Sequence, residues 1–181
     1  MKIIEELLGK NPFLELGKSD KCITLEDINE LEQVYEIEGS ISDDMKELII
    51  DLSRVKEKFS DNIIVANTPF IYDIACDIKI LSNSREGDPF VWIKTIDYDS
   101  FNYVWMINEL NYNALSYIRY LPLFGTSIDT EYVCIDLLSE SNPNRVVLVD
   151  LISKITDDES EYLSVLAETQ REFINNLYIR D

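Results

Sequence analysis

The spacing of apolar residues changes twice along this chain, from a helical period to an alternation of two and back again. Ile3, Ile4, Leu7 and Leu8 form a short stripe at helical spacing, stopped by Gly9 and the Asn11-Pro12 pair. Residues 10–22, with Gly17 and Ser19, read as a connection. Thr24-Leu25-Glu26-Asp27 has the form of a capping box, in which a hydroxyl takes one free amide and an acid returns to another. Leu25, Ile28, Leu31 and Tyr35 then give one apolar face, and Gly39-Ser40 ends it. Ser42 opens a second helix, with Asp43 and Asp44 at the positive end of its dipole. Met45, Leu48, Ile49, Leu52, Val55 and Phe59 form its expected buried stripe, with Glu47, Asp51, Arg54 and Lys58 on the other side.

From residue 72 the period is two. Tyr72, Ile74, Cys76, Ile78 and Ile80 alternate with Asp73, Ala75, Asp77 and Lys79, which predicts a strand with one wet face. Turn chemistry around Gly87-Asp88-Pro89 leads to a second expected strand over residues 90–98, then a polar break at 99–102. Tyr103 to Ile107 is apolar on both sides and predicts a central strand, while 114–120 leans to two helical turns over a strand. Pro122 and Gly125 lead into the run Tyr132–Leu138; a polar turn, 139–144, separates it from a second run, Val146–Leu151. Both runs are short and β-branched, so they predict a long hairpin. Residues 158–178 have helical period: Asp157 or Asp158 as cap, Glu159 and Glu161 early, and a stripe of Leu163, Leu166, Gln170, Ile174 and Leu177. Neither a repeat nor a low-complexity linker divides the chain, so the expectation is a single α+β domain over residues 1–181, with N-terminal helices and a C-terminal helix packed on a mostly antiparallel sheet.

A content of 46% hydrophobic residues over 181 positions supports a folded core despite a formal charge of −19. Asp and Glu number 35 against 16 Lys and Arg, and the excess is spread: seven over residues 1–60, four over 61–120 and eight over 121–181. The charge therefore decorates the folded surface, where it disfavours nucleic acid and anionic membrane and attracts a basic partner at long range. Solubility alone is the plainer account of the same charge. Cys22, Cys76 and Cys134 are far apart, odd in number and without C-x-x-C spacing, which predicts buried free thiols in a reducing compartment. The N-terminal apolar run is short and carries Glu5 and Glu6, unlike a signal peptide, and no stretch approaches the ~20 apolar residues of a membrane span. The expected location is the cytoplasm.

Chemistry is most visible by what is missing. The chain has no histidine, which removes the usual general base near neutral pH, the activator of Ser and Cys nucleophiles and the commonest metal ligand. Its five glycines form neither a G-x-G-x-x-G nor a Walker loop. Asp157-Asp158-Glu159 lacks the alternating ligands and central glycine of an EF-hand and reads as a helix cap. A carboxylate pair acting as acid and base stays conceivable, but with 35 acids some proximity is expected by chance. The expectation is a non-enzyme with no catalytic residue, no cofactor and no metal. Tyr98, Phe101, Tyr103, Trp105, Tyr112, Tyr117 and Tyr120 cluster mid-chain, yet residues 95–120 hold only Arg119 as a base, so they suit core packing or a protein interface better than base stacking.

The hairpin and the C-terminal segment resemble the SUKH superfamily, which joins bacterial toxin-immunity proteins to fungal cell-wall-assembly regulators. The residues that carry the resemblance are LPLFG at 121–125, YVCIDL at 132–137, VVLVD at 146–150 and LAETQREFINNL at 166–177. In the last, Leu166, Ala167, Phe173, Ile174 and Leu177 match; Thr169 stands for the usual Ser, and Gln170 replaces the usual aromatic. LEDINELEQVYEI and SDDMKELIIDL look like the family's opening pair of helices, without its Pro before the second or its Asn-Gly pair after it. The resemblance implies a twisted sheet, no catalysis, and a protein that neutralises a basic toxin domain, a nuclease among the possibilities, by direct binding. Asp97, Asp99, Asp129 and Glu131 are the expected exposed contact carboxylates, with ordinary solvated loop acids as the alternative. The rival functions are an intracellular scaffold or regulatory interaction module and a DNA-mimicking inhibitor.

Overall fold

The computed structural model describes residues 2–17, 22–58, 74–77, 90–95, 107–108, 110–111, 118–128, 130–139, 142–151 and 163–180. In chain order the elements are α1 (Lys2–Lys10), β1 (Leu14–Leu16), α2 (Leu25–Val34), α3 (Asp43–Arg54), β2 (Val55–Glu57), β3 (Ile74–Asp77), β4 (Phe90–Trp92) and β5 (Lys94–Thr95). Then come β6 (Tyr120–Gly125), β7 (Glu131–Asp136), β8 (Arg145–Asp150), β9 (Leu163–Ala167), the helix Gln170–Asn176, here α4, and β10 (Leu177–Ile179). Every strand pair is antiparallel: β1 with β2, a three-stranded sheet ordered β10-β3-β4, and a five-stranded sheet ordered β5-β6-β7-β8-β9. The fold is α+β.

The expected hairpin forms the centre of the larger sheet. Its register runs without interruption from Glu131↔Asp150 to Asp136↔Arg145. The turn is held by Asn144, whose φ of 68° suits asparagine and whose amide donates to the Asp136 carbonyl at 2.9 Å. Val146 to Val149 are buried on both faces, as are all six residues of β6, which explains why these runs are apolar without alternation. Pro122 has no amide to give, and the β6–β7 register shifts between Pro122 and Phe124.

Helices cover this sheet. Phe173 of α4 stacks on Phe124 of β6 at 6.1 Å between ring centroids. The side chain of Gln170, 7% exposed, donates to the Ser40 carbonyl at 2.6 Å and accepts from the Ser42 amide at 2.8 Å, pinning α4 to the start of α3. Residues 90–95 pass from one sheet to the other: β4 pairs with β3, β5 pairs with β6, and the Ile93 amide between them donates to the Ile74 carbonyl. One hydrophobic cluster runs from Ile3 through Met45, Leu48 and Leu121 to Ile179.

Several expectations are corrected. Of the closing helix expected over 158–178, the described part from Leu163 on is three elements: β9 beside β8, α4 over Gln170–Asn176 only, and β10 beside β3. The helix begins at Thr169, whose hydroxyl accepts from the Glu172 amide at 3.0 Å. Thr169-x-x-Glu172 is a start signal that the longer stripe obscured, and Leu163-Ser164-Val165 before it fits a strand equally well. The proposed caps Asp157 and Asp158 lie outside the described residues. Leu14–Leu16, read as connection, is a strand; Val55 begins β2 and does not extend α3. Ile107, Asn108 and Leu110 are helical where a strand was expected to finish, and Tyr120 is already in β6 where helix was favoured. Among the described residues no helix is long and apolar enough to cross a membrane. All three cysteines are free; Cys76 and Cys134 are buried, and Cys22 is half-exposed.

Candidate interaction surface

Of the four carboxylates expected to contact a partner, Asp97, Asp99 and Asp129 lie outside the described residues. Glu131 is not an exposed loop acid: it opens β7, directly across from Asp150, and only 8% of its surface is accessible. Strand pairing begins one residue earlier than the apolar run suggested, which draws this side chain into the sheet.

The buried charges are occupied structurally. Asp136 is fully buried and accepts from Arg119 Nε at 3.3 Å, from Arg145 Nε at 3.2 Å and Nη2 at 2.9 Å, and from the Leu138 amide at 3.4 Å. Asn111 supports that cluster, its Oδ1 accepting from the amides of Arg119 and Tyr120 and its Nδ2 donating to the Ile107 and Tyr120 carbonyls. Between α2 and α3, Lys46 Nζ meets Glu32 Oε2 at 2.6 Å and Asn29 Oδ1 at 3.0 Å, while Glu32 Oε1 accepts from the Ile41 amide. Both sites satisfy the charges they hide, so each fixes the packing of its neighbours. Among the described residues no group of three or more His, Cys, Asp or Glu side chains is placed to hold a metal. Among the described residues, the phenols of Tyr35 and Tyr178 are displaced upward from their ordinary value. Tyr35 is raised by burial; Tyr178 is raised first by burial, then by its hydrogen bond to Asp77 and that carboxylate's charge, with Arg180 opposing.

The exposed charges are a different matter. The helix pair α2–α3 and its connecting turn carry Glu26, Asp27 and Glu30 on the first helix, Glu36 and Glu38 in the turn, and Asp43, Asp44 and Glu47 on the second, all exposed. Local sequence places them there. The apolar positions Ile28, Met45, Leu48, Ile49 and Leu52 turn inward, Asp27 closes the capping box with Thr24, and Asp43 and Asp44 follow the Ser42 cap. The turn reverses the chain with Glu36 and Gly39 at positive φ. Over residues 22–54 the only bases are Lys46, buried against Glu32, and Arg54, 3.9 Å from Asp51. Arg171 reaches over from α4 to Asp44 at 3.3 Å, but that pair is widely exposed and weak. On α2 the exposed residues Glu26, Glu30 and Val34 follow one another about one turn apart, and Val34 is 67% exposed. Local sequence marks Glu26, Asp27, Asp43 and Asp44 as capping or first-turn acids and Glu47 as solvent-facing, but singles out neither Glu30 nor Glu36 nor Glu38; only the pairing of the two helices gathers the eight into one region. Matched against protein-family models and against curated proteins, the chain finds no counterpart in either.

Proposed function

We propose that this chain is a non-catalytic binding protein of the cytoplasm that takes a basic protein as its partner, in the manner of a SUKH-like immunity protein neutralising a basic toxin domain. The observation that carries the reading is the α2–α3 region, where eight exposed carboxylates face solvent and both bases of the span are committed to neighbouring acids. A nuclease toxin must be basic to hold nucleic acid, and such a field speeds and orients its capture. Val34 adds an apolar contact among the acids, which suits a protein partner more than a duplex-mimicking role.

The test is a toxin domain encoded beside this gene, titrated against the intact chain. Binding that abolishes the toxin's activity, weakens steeply with salt, and falls about tenfold or more in a Glu26→Gln, Glu30→Gln, Asp43→Asn, Glu47→Gln variant is expected. A tight complex indifferent to both salt and these substitutions refutes the reading.

A further inference from the structure

The outer face of the β10-β3-β4 sheet holds a guanidinium. Cross-strand register puts Tyr178, Ala75 and Trp92 in one row and Asp77 opposite Phe90. Residues two apart share a face, so Tyr178, Ala75, Asp77, Phe90 and Trp92 all lie on the same side. Leu177, Ile179, Ile74, Cys76 and Val91 occupy the other side, in the core. Phe90 and Trp92 meet edge to face at 5.4 Å, and Tyr178 Oη donates to Asp77 Oδ1 at 2.9 Å. Small, fully buried Ala75 lies in the middle of the row. Across these rings runs Arg180, with Cζ 3.5 Å from the Phe90 centroid and 5.7 Å from that of Trp92.

An aromatic wall with a carboxylate at its rim is a cation site, because ring faces are negative and the acid supplies full charge. Here the cation comes from the residue after the last strand, and both Arg180 and Asp77 are exposed. Phe90 beneath it is only 7% exposed, but the guanidinium itself stays open to water, where a cation over a ring is held weakly and is replaceable. On the reading that the partner is basic, we infer that Arg180 is a placeholder: this sheet face is a guanidinium-binding site that an arginine of the partner takes over from the chain's own.

A capped, fluorescently labelled tetra-arginine peptide titrated into the full chain at about 0.15 M salt tests this by anisotropy. Emptying the site with Arg180→Ala removes the internal competitor and tightens binding about three- to sixfold. Lys10→Ala is the control. It removes the same unit charge near by, since Lys10 Nζ lies 3.4 Å from the Ile179 carbonyl and 3.9 Å from Glu6. It is expected to change affinity by less than about twofold. Adding Trp92→Leu, or separately Asp77→Asn, to Arg180→Ala cancels the gain, with circular dichroism showing each variant folded. Equal gains from Lys10→Ala and Arg180→Ala, a gain that survives both added substitutions, or no binding by the Arg180→Ala chain would overturn the placeholder role. Steep salt dependence that is the same in every variant overturns it while leaving the acidic-surface reading intact.

Discussion

Lys46→Met isolates the contribution of the Lys46–Glu32 charge pair between α2 and α3. Glu32 is 3% exposed and Lys46 9%, and their 2.6 Å contact is shorter than the 3.0 Å bonds to Asn29 and Ile41. Methionine keeps most of the aliphatic stem and fills its space, so packing is nearly conserved. What remains is a carboxylate in a low-dielectric site with one amide, that of Ile41, still donating to it. Removing one partner of a buried pair costs about 3–5 kcal/mol, against about 0–1 for an exposed pair such as Arg171–Asp44, whose side chains are 80% and 51% accessible. For a chain of this size that corresponds to a fall in melting temperature of roughly 6–20 °C. Urea denaturation at neutral pH, followed by circular dichroism, reads the free energy. A second variant supplies the sharper check. Lys46→Met with Glu32→Leu buries no charge, and should recover most of the loss short of about 1–3 kcal/mol for the Ile41 amide left without its acceptor. A single substitution costing less than about 1 kcal/mol, or a double variant no more stable than the single, would refute the argument that these charges are effectively sealed from water.

Asp136→Asn keeps the shape of the side chain but removes the charge that two arginines share, and is expected to lower stability by about 3 kcal/mol or more in the same assay. At high pH the Tyr178 phenol has a measurable signature. Its folded value is raised above 10, so its contribution to stability is complete below that pH and is lost as pH rises through the folded value; Tyr178→Phe should show a shallower decline over that window.

Much of the backbone plan was legible because it is written in short-range chemistry. The Thr24 and Ser42 caps, the stripe from Met45 to Leu52 and the Asn142-Pro143-Asn144 turn each depend on residues a few positions apart, and each appears where local rules put it. The C-terminal segment misled for the same reason. A stripe of Leu163, Leu166, Gln170 and Ile174 satisfies a helical period, but β8 offers an open edge to Leu163–Ala167 and β3 offers one to Leu177–Ile179, and neither edge is visible from within the segment. Between them only Thr169 and Glu172 mark where the helix begins.

The sequence alone determined an α+β chain with strong negative charge, a central hairpin and no histidine chemistry, since composition and local periodicity are properties of neighbours along the chain. Tertiary structure decided which acids are buried and which stay exposed. It drew Glu131 into a sheet, paired buried Glu32 with Lys46 and buried Asp136 with Arg119 and Arg145, and left Glu26, Asp27, Glu30, Asp43, Asp44 and Glu47 of α2 and α3 exposed to water. It also brought Arg180 across Phe90 and Trp92, residues about ninety positions away, because strand pairing joins the last residues of the chain to its middle. Burial and long-range pairing depend on what packs against each residue, and that is settled only when the whole chain is folded.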